Sequence, residues 1–363
     1  MSATPKTAST RFSPSRETSL TKRDEKTDWK GAADKAVSER IAAATGNATD
    51  GITISFLEWL KEVTPLWFWE WSYLLFIQKQ LQRVTDGEID RLMLFVPPRH
   101  GKSEQCTVRY PIYRLARKPD ARIIVGAYSA ALSHKFSRKM RKLARTCETI
   151  KLSKERTAVD DWETTDGGGV RAVGVGGGVT GMGANLIIID DPVKSRAEAN
   201  SEAYRDACYE WFTDDLLTRL EPGGAIILIM TRWHEDDLAG RILASDSGGE
   251  WTVIKLPAIA EENDPLGRAP GEALCPERYD VPALERLRKV LKSSFDALFQ
   301  QRPVAAGGNI FKSEWFQDRY KRLPRLVAVW TTWDTALKDG AENDESACCT
   351  VGEGEDGFLY LLR

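Results

Sequence analysis

The residues best suited to chemistry in this chain lie between Val96 and Ser103, in the stretch VPPRHGKS. An apolar run, Leu92 to Val96, precedes the turn and reads as a buried strand. The segment SEQCTVRYPIYRLAR opens from it and reads as a helix. Strand, tight glycine loop and helix together form a phosphate cradle, because backbone N–H groups at the helix start face the ligand. In this reading Pro97, Pro98, Arg99, His100, Gly101, Lys102, Ser103 and Glu104 form the nucleotide-binding loop. Lys102 would neutralise the β/γ charge and Ser103 would hold Mg²⁺. Val96 stands where such a loop usually carries its first glycine, and two prolines stiffen the turn instead.

A second site comes from paired acids. Leu186 to Ile189 is an apolar strand that ends in Asp190-Asp191-Pro192, a Walker B pattern. Asp190 would bind Mg²⁺, and Asp191 would orient or deprotonate an attacking water. A further strand, Ala225 to Met230, ends in Thr231-Arg232-Trp233-His234. Polar residues there fall on the crevice at the carboxyl ends of an open α/β sheet. They could sense a γ-phosphate and pass its loss to the rest of the protein.

Other elements must position these residues. Strands at Arg122 to Ala127 and from Trp251 complete a parallel sheet, with a helix over SAALSHKFSRKMRKLAR. The aromatic stretch from Ile52 to Val84 predicts one or two helices covering the sheet edge. Core packing is its favoured role, with Gln78 and Gln80 as candidate adenine contacts. Lys135, Arg138, Lys139, Arg141, Lys142, Arg145, Lys151, Lys154 and Arg156 form a basic run. It reads equally as a DNA phosphate contact or as a solvated face. The glycine-rich stretch between Asp160 and Asn185 predicts short strands and turns on the ligand-binding edge of the sheet. A single helix is predicted over PALERLRKVLKSSFDALFQQR.

Composition narrows the class. The chain has 363 residues and a formal net charge of -2, so nucleic-acid binding must rest on local patches. Six cysteines show no metal-like spacing and read as reduced thiols of a cytoplasmic protein. No apolar run approaches the ~18–20 residues of a membrane span. The expected organisation is a mostly disordered tail over 1–50 and a P-loop ATPase domain over 51–260. A helical subdomain and linker follow over 261–309, and an incomplete RNase H-like domain over 310–363. In that last part Asp334 ends an apolar strand and Asp344 lies in a loop, where carboxylates gathered around Mg²⁺ or Mn²⁺ would begin a nuclease site.

Taken together, VPPRHGKSE, IIIDDPVKS, TRWHEDDLAGRIL, FQQRP and WDTALK resemble the large terminase subunit of tailed bacteriophages. The resemblance covers roughly Ile52 to Arg363. It implies an ASCE-type (RecA-like) P-loop ATPase that uses ATP and Mg²⁺ to drive double-stranded DNA into a procapsid. An RNase H-like nuclease would follow it. It also implies a small terminase subunit, the portal and a homo-oligomeric ring as partners, in the cytoplasm of a bacterial host. Lys102 and Ser103 match the Walker A pair, Arg99 the loop arginine, and Asp190 and Asp191 the Walker B acids. Thr231 to His234 match the coupling motif, and Asp334 the first nuclease metal ligand.

Two departures stand out. Related chains often carry Gly-Arg-Gly before Walker B, an arginine able to act in trans, where this chain has Gly181-Met182-Gly183. The role would then fall to Arg99, Arg138 or Arg171. The nuclease motifs after Asp334 are also too few, so the chain reads as truncated there and its nuclease as inactive. The alternatives are a RecA-like helicase or repair ATPase, and a decayed, non-hydrolysing DNA-binding prophage remnant.

Overall fold

The computed structural model describes residues 52–179, 181–303, 322–334 and 347–362. The tail expected over 1–50 and the loop carrying Asp344 lie outside them. Apolar runs form the strands β1 (Arg91–Phe95), β2 (Arg122–Ala127), β3 (Leu152–Thr157), β4 (Asp161–Thr164), β5 (Gly169–Gly174), β6 (Ala184–Asp190), β7 (Leu220–Met230) and β8 (Thr252–Lys255). They make one eight-stranded sheet in the order β3-β4-β5-β2-β6-β7-β1-β8. From β5 to β8 every neighbouring pair is parallel, while β3 and β4 add an antiparallel edge. The strand before the phosphate loop, β1, is thus separated from the acid-bearing strand β6 by β7, which is the ASCE strand arrangement.

Helices cover both faces, so the central strands are buried on both sides and read as unbroken apolar runs. The helices are α1 (Phe56–Val63), α2 (Ser72–Thr85), α3 (Tyr110–Arg117), α4 (Ala130–Ala144), α5 (Arg196–Asn200), α6 (Glu202–Glu210), α7 (Leu238–Ala244), α8 (Val281–Leu291) and α9 (Ser293–Leu298). On one face Phe95, Ile187, Ile189, Leu228 and Met230 pack with Trp211, Phe212 and Leu238. Gly126 of β2 lets that layer approach, since a Cβ there would lie 2.5 Å from the Trp211 ring. Their strand neighbours Leu94, Ile188, Ile227 and Ile229 point to the opposite face and are also fully buried. Among the described residues no helix is long and apolar enough to cross a membrane, and all six cysteines are free thiols.

Two sequence expectations change. The single helix predicted over PALERLRKVLKSSFDALFQQR is two, α8 and α9, broken at Lys292 with φ +50°. The break turns α9 so that Phe295 and Phe299 stack and join a small core with Leu284 and Ile259. The glycine-rich strands β4 and β5 extend the sheet beyond β2, on the side away from β1, and do not line the crevice above β1.

The FQQRP stretch closes this helical segment back on the sheet. Gln300 donates from Nε2 to the Ile259 carbonyl and accepts from the Ile259 N–H, both at 3.0 Å, much as a strand neighbour would. Gln301, at φ +55°, accepts from the Arg232 N–H at 3.3 Å. A separate antiparallel sheet holds β9 (Leu326–Asp334), β10 (Ala347–Gly354) and β11 (Leu359–Leu361), with β10 in the middle. Asp334 ends β9 in register with Ala347.

Candidate nucleotide site

β1 delivers the chain to the loop, and Val96 extends its pairing through an N–H bond to the Met230 carbonyl at 3.4 Å. This explains why a valine serves where a glycine is usual: it is fully buried and continues the pairing of β1 by one residue. The reversal is made at Arg99 (φ +65°) and Gly101 (φ +76°). A left-handed arginine is costly and is held only by its surroundings. Helical backbone begins at Lys102, then a π-helical turn, Glu104–Arg109, runs into α3.

Lys102 is buried, and its ammonium lies 2.9 and 3.0 Å from the two oxygens of Asp191. Asp191 itself has φ +46° and its Oδ1 also accepts from the Thr231 N–H at 2.8 Å and the Thr231 hydroxyl at 3.3 Å. One carboxylate therefore ties together the loop lysine, the acid strand and the end of β7.

Asp190 is fully buried. Its Oδ2 accepts from the Thr107 hydroxyl at 2.5 Å, while its Oδ1 has no hydrogen-bond partner among the described residues. Burial and the neighbouring Asp191 charge raise its pKa, and Lys102, Thr107 and Ser103 oppose that rise. A buried carboxylate oxygen left unpaired beside a serine hydroxyl suits a hard cation that takes its remaining ligands from water and phosphate. Ser103 and Asp190 thus fit a Mg²⁺ site. Thr107 went unread in the sequence, although it lies one helical turn beyond Ser103, where side chains share a face.

A cleft of about 600 Å³ opens above the loop, within the usual range for small-molecule sites. Of the predicted loop residues, Pro98, Arg99, Gly101, Lys102, Ser103 and Glu104 line it. His100 does not. It is buried behind the loop, bonded through Nδ1 to the Pro98 carbonyl at 2.9 Å and packed on Tyr73 and Tyr279. Burial lowers its pKa to about 4, so it is a neutral structural ring. Pro97 is buried as well. Gln78 and Gln80 are core residues; the Gln78 amide donates to the Trp69 carbonyl and to Gln105, each at 3.0 Å.

The aromatic wall of the cleft is instead Trp67, Phe68, Trp69 and Trp71. Arg109 lies 4.0 Å from the Trp67 ring centre and 4.9 Å from that of Trp69, and it pairs with Glu104 at 2.8 Å. The wall is thereby fixed to the loop.

The four residues expected to couple divide. Thr231 and Trp233 line the cleft. Arg232 turns inward to Asp237, 2.8 Å away and fully buried, and His234 accepts from the Asp236 N–H at 3.0 Å. Asp237, missed in the sequence, also caps α7 by accepting from Gly240. Asp237→Ala would leave the Arg232 charge buried without its partner. The expected loss is about 3–5 kcal/mol of stability, read as a lowered urea midpoint; a loss under about 1 kcal/mol would contradict the assignment.

Of the residues considered for the displaced arginine role, only Arg99 faces the cleft. Arg171 on β5 is held by Asp161 at 2.8 Å, and Arg138 lies exposed on α4. Met182 precedes β6, at the end of that strand opposite Asp190.

Fold and site define a P-loop protein of the ASCE class. The family can be stated as well: residues 93–318 match the family described as terminase large subunit, T4likevirus-type, N-terminal, and the chain belongs to it. Among solved structures it is similar to the large terminase of bacteriophage HK97, at 17% identity over 79% of this chain and 62% of that one, with a TM-score of 0.44. It is also similar to an ATPase-domain mutant of the Thermus phage P74-26 large terminase, at 13% identity over 67% and 97%, TM-score 0.42. A third is the large terminase of a thermophilic bacteriophage in complex with ADP, at 9% identity over 78% and 68%, TM-score 0.40. This chain thus spans under two thirds of the HK97 protein. No curated protein matches it.

Proposed function

We propose that the chain is the ATP-hydrolysing subunit of a DNA-packaging motor, moving double-stranded DNA into a procapsid from the host cytoplasm. The observation that carries this reading is the Asp191 carboxylate shared by Lys102 and Thr231. A triphosphate entering the cleft competes for the Lys102 ammonium. Once Lys102 turns to the phosphates, Asp191 is free to accept a proton from water attacking the γ-phosphate. The same release loosens the hold on Thr231, so the state of the phosphate reaches the end of β7. Mg²⁺ held by Ser103 and Asp190 would supply charge neutralisation at the phosphates. Arg99 is the loop cation left to face the developing charge.

DNA would contact α4 and the residue that follows it, where Lys135, Arg138, Lys142 and Arg145 are exposed and have no acidic partner among the described residues. Lys139 is different, being paired with Glu104. The small terminase subunit, the portal and further copies of this chain in a ring are the proposed partners. The domain limits 51–260, 261–309 and 310–363 remain the proposed organisation. In the last, β9 to β11 form the first meander of an RNase H-like nuclease, with Asp334 as a metal ligand.

The test is ATP turnover with and without double-stranded DNA. Stimulation by blunt duplex that falls steeply with salt, without unwinding of a forked duplex, is the expected result. Robust strand displacement in the absence of a procapsid would overturn the packaging reading in favour of a helicase.

A further inference from the structure

The cleft is lined by a cation that neither the loop nor the sheet supplies. Arg278 lies between β8 and α8, in a turn closed by N–H bonds from Arg278 and Tyr279 to the Cys275 carbonyl at 3.0 and 2.9 Å. The Tyr279 ring packs 5.6 Å from that of His100, so this turn is fixed to the back of the phosphate loop. From there the Arg278 side chain reaches the cleft wall, with its guanidinium 5.8 Å from the Trp71 ring centre.

The charge balance of the cleft points to a polyanion. Both acids that line it are already engaged, Asp191 by Lys102 and Glu104 by Arg109 and Lys139. Arg99, Lys194 and Arg278 line it with no acidic partner among the described residues. Unpaired cations gathered in one concave site raise the local concentration of an anionic ligand. Arg278 differs from the others because it belongs to the helical segment, and a guanidinium is the group best shaped to take two phosphate oxygens at once.

We propose that Arg278 is a nucleotide-contacting residue, a guanidinium supplied in cis by the helical segment to the polyphosphate of a bound nucleotide. The proposal rests on the reading of the cleft as a nucleotide site. The helical segment also meets the coupling motif directly, through Gln301 on the Arg232 N–H, and indirectly through Arg196 of α5, whose Nη2 donates to the Ser294 hydroxyl at 3.0 Å and whose guanidinium lies 6.0 Å from the Trp233 ring centre. Contact of Arg278 with phosphate would therefore let one ligand hold the segment from both sides.

Equilibrium binding of ATP, ADP and adenosine to the full-length chain, followed by tryptophan fluorescence, tests this with R278A, R278K and K102A. R278A is expected to weaken ATP and ADP about 10–100-fold, the span of a charged hydrogen bond, and to leave adenosine unchanged. R278K should recover part of the loss, and the melting temperature without nucleotide should not move. R278A binding ATP and ADP within twofold of the unaltered chain, while K102A loses them, would overturn the role of Arg278 alone. If K102A also binds normally, the cleft is not the nucleotide site and both readings fall. Should R278A fold poorly, R278Q is read by the same criteria.

Discussion

Lys102→Ala is expected to lower ATP turnover by at least about 10²–10³-fold, the usual effect of removing one charged group aimed at the reacting atoms. The side chain is buried, and among the described residues its ammonium bonds to Asp191 and, at 3.4 Å, to the Val96 carbonyl. No other lysine lines the cleft at the turn itself, because Lys194 approaches from beyond β6. The fold should survive, since Asp191 is partly exposed and keeps its bonds from Thr231. A melting temperature within a few degrees of the unaltered chain, measured beside the turnover, separates lost chemistry from lost structure. Turnover retained within several-fold would remove Lys102 from the mechanism and with it the phosphate-loop assignment.

The sheet was largely legible because its strands are buried on both faces. Such strands must be nearly continuous runs of Ile, Leu, Val and Met, and a run of that kind ending in Asp-Asp or in Thr-Arg stands out. β2 coincides with the predicted Arg122 to Ala127, and the acid strand ends at Asp190 as expected. The break at Lys292 was not legible, since neither glycine nor proline marks it. What goes with it is the burial of Phe295 and Phe299 against Leu284 and Ile259, contacts made by the tertiary fold.

The site shows the same division. Residues proposed to act chemically were read by type and spacing: Lys102, Ser103, Asp190, Asp191, Thr231. Those that act by support were not, because their signal is a partner distant in sequence. Thr107 means little until Asp190 is placed 2.5 Å away, and Arg109 only gains a role once two indoles lie over it. His100 is the reverse case. Its position within the motif suggests ligand contact, yet the turn points it inward against two tyrosines. The FQQRP pattern was recognisable before it was explicable; its two glutamines replace strand pairing at Ile259 and receive the backbone of Arg232.

Asp190→Asn is expected to separate activity from stability more sharply than any other change. The fully buried carboxylate accepts from the Thr107 hydroxyl, and its second oxygen has no hydrogen-bond partner among the described residues. Burial raises its pKa, so in the folded state the proton is retained above the ordinary value of 3.8. Over that interval the folded form binds more protons than the unfolded one, and stability falls as pH rises through it. An amide of the same shape removes this cost. At pH 7.5 without metal the variant should therefore melt no lower than the unaltered chain. Its turnover should fall about 10²–10³-fold, because the carboxylate that would hold Mg²⁺ beside Ser103 has lost its charge. The metal dependence of nucleotide affinity should weaken with it, measured by titrating ATP with and without Mg²⁺. A variant that melts far lower would make Asp190 a structural residue. One that keeps both its turnover and its metal dependence would move the cation site elsewhere. Stability gained where activity is lost is the pattern of a residue kept for its function.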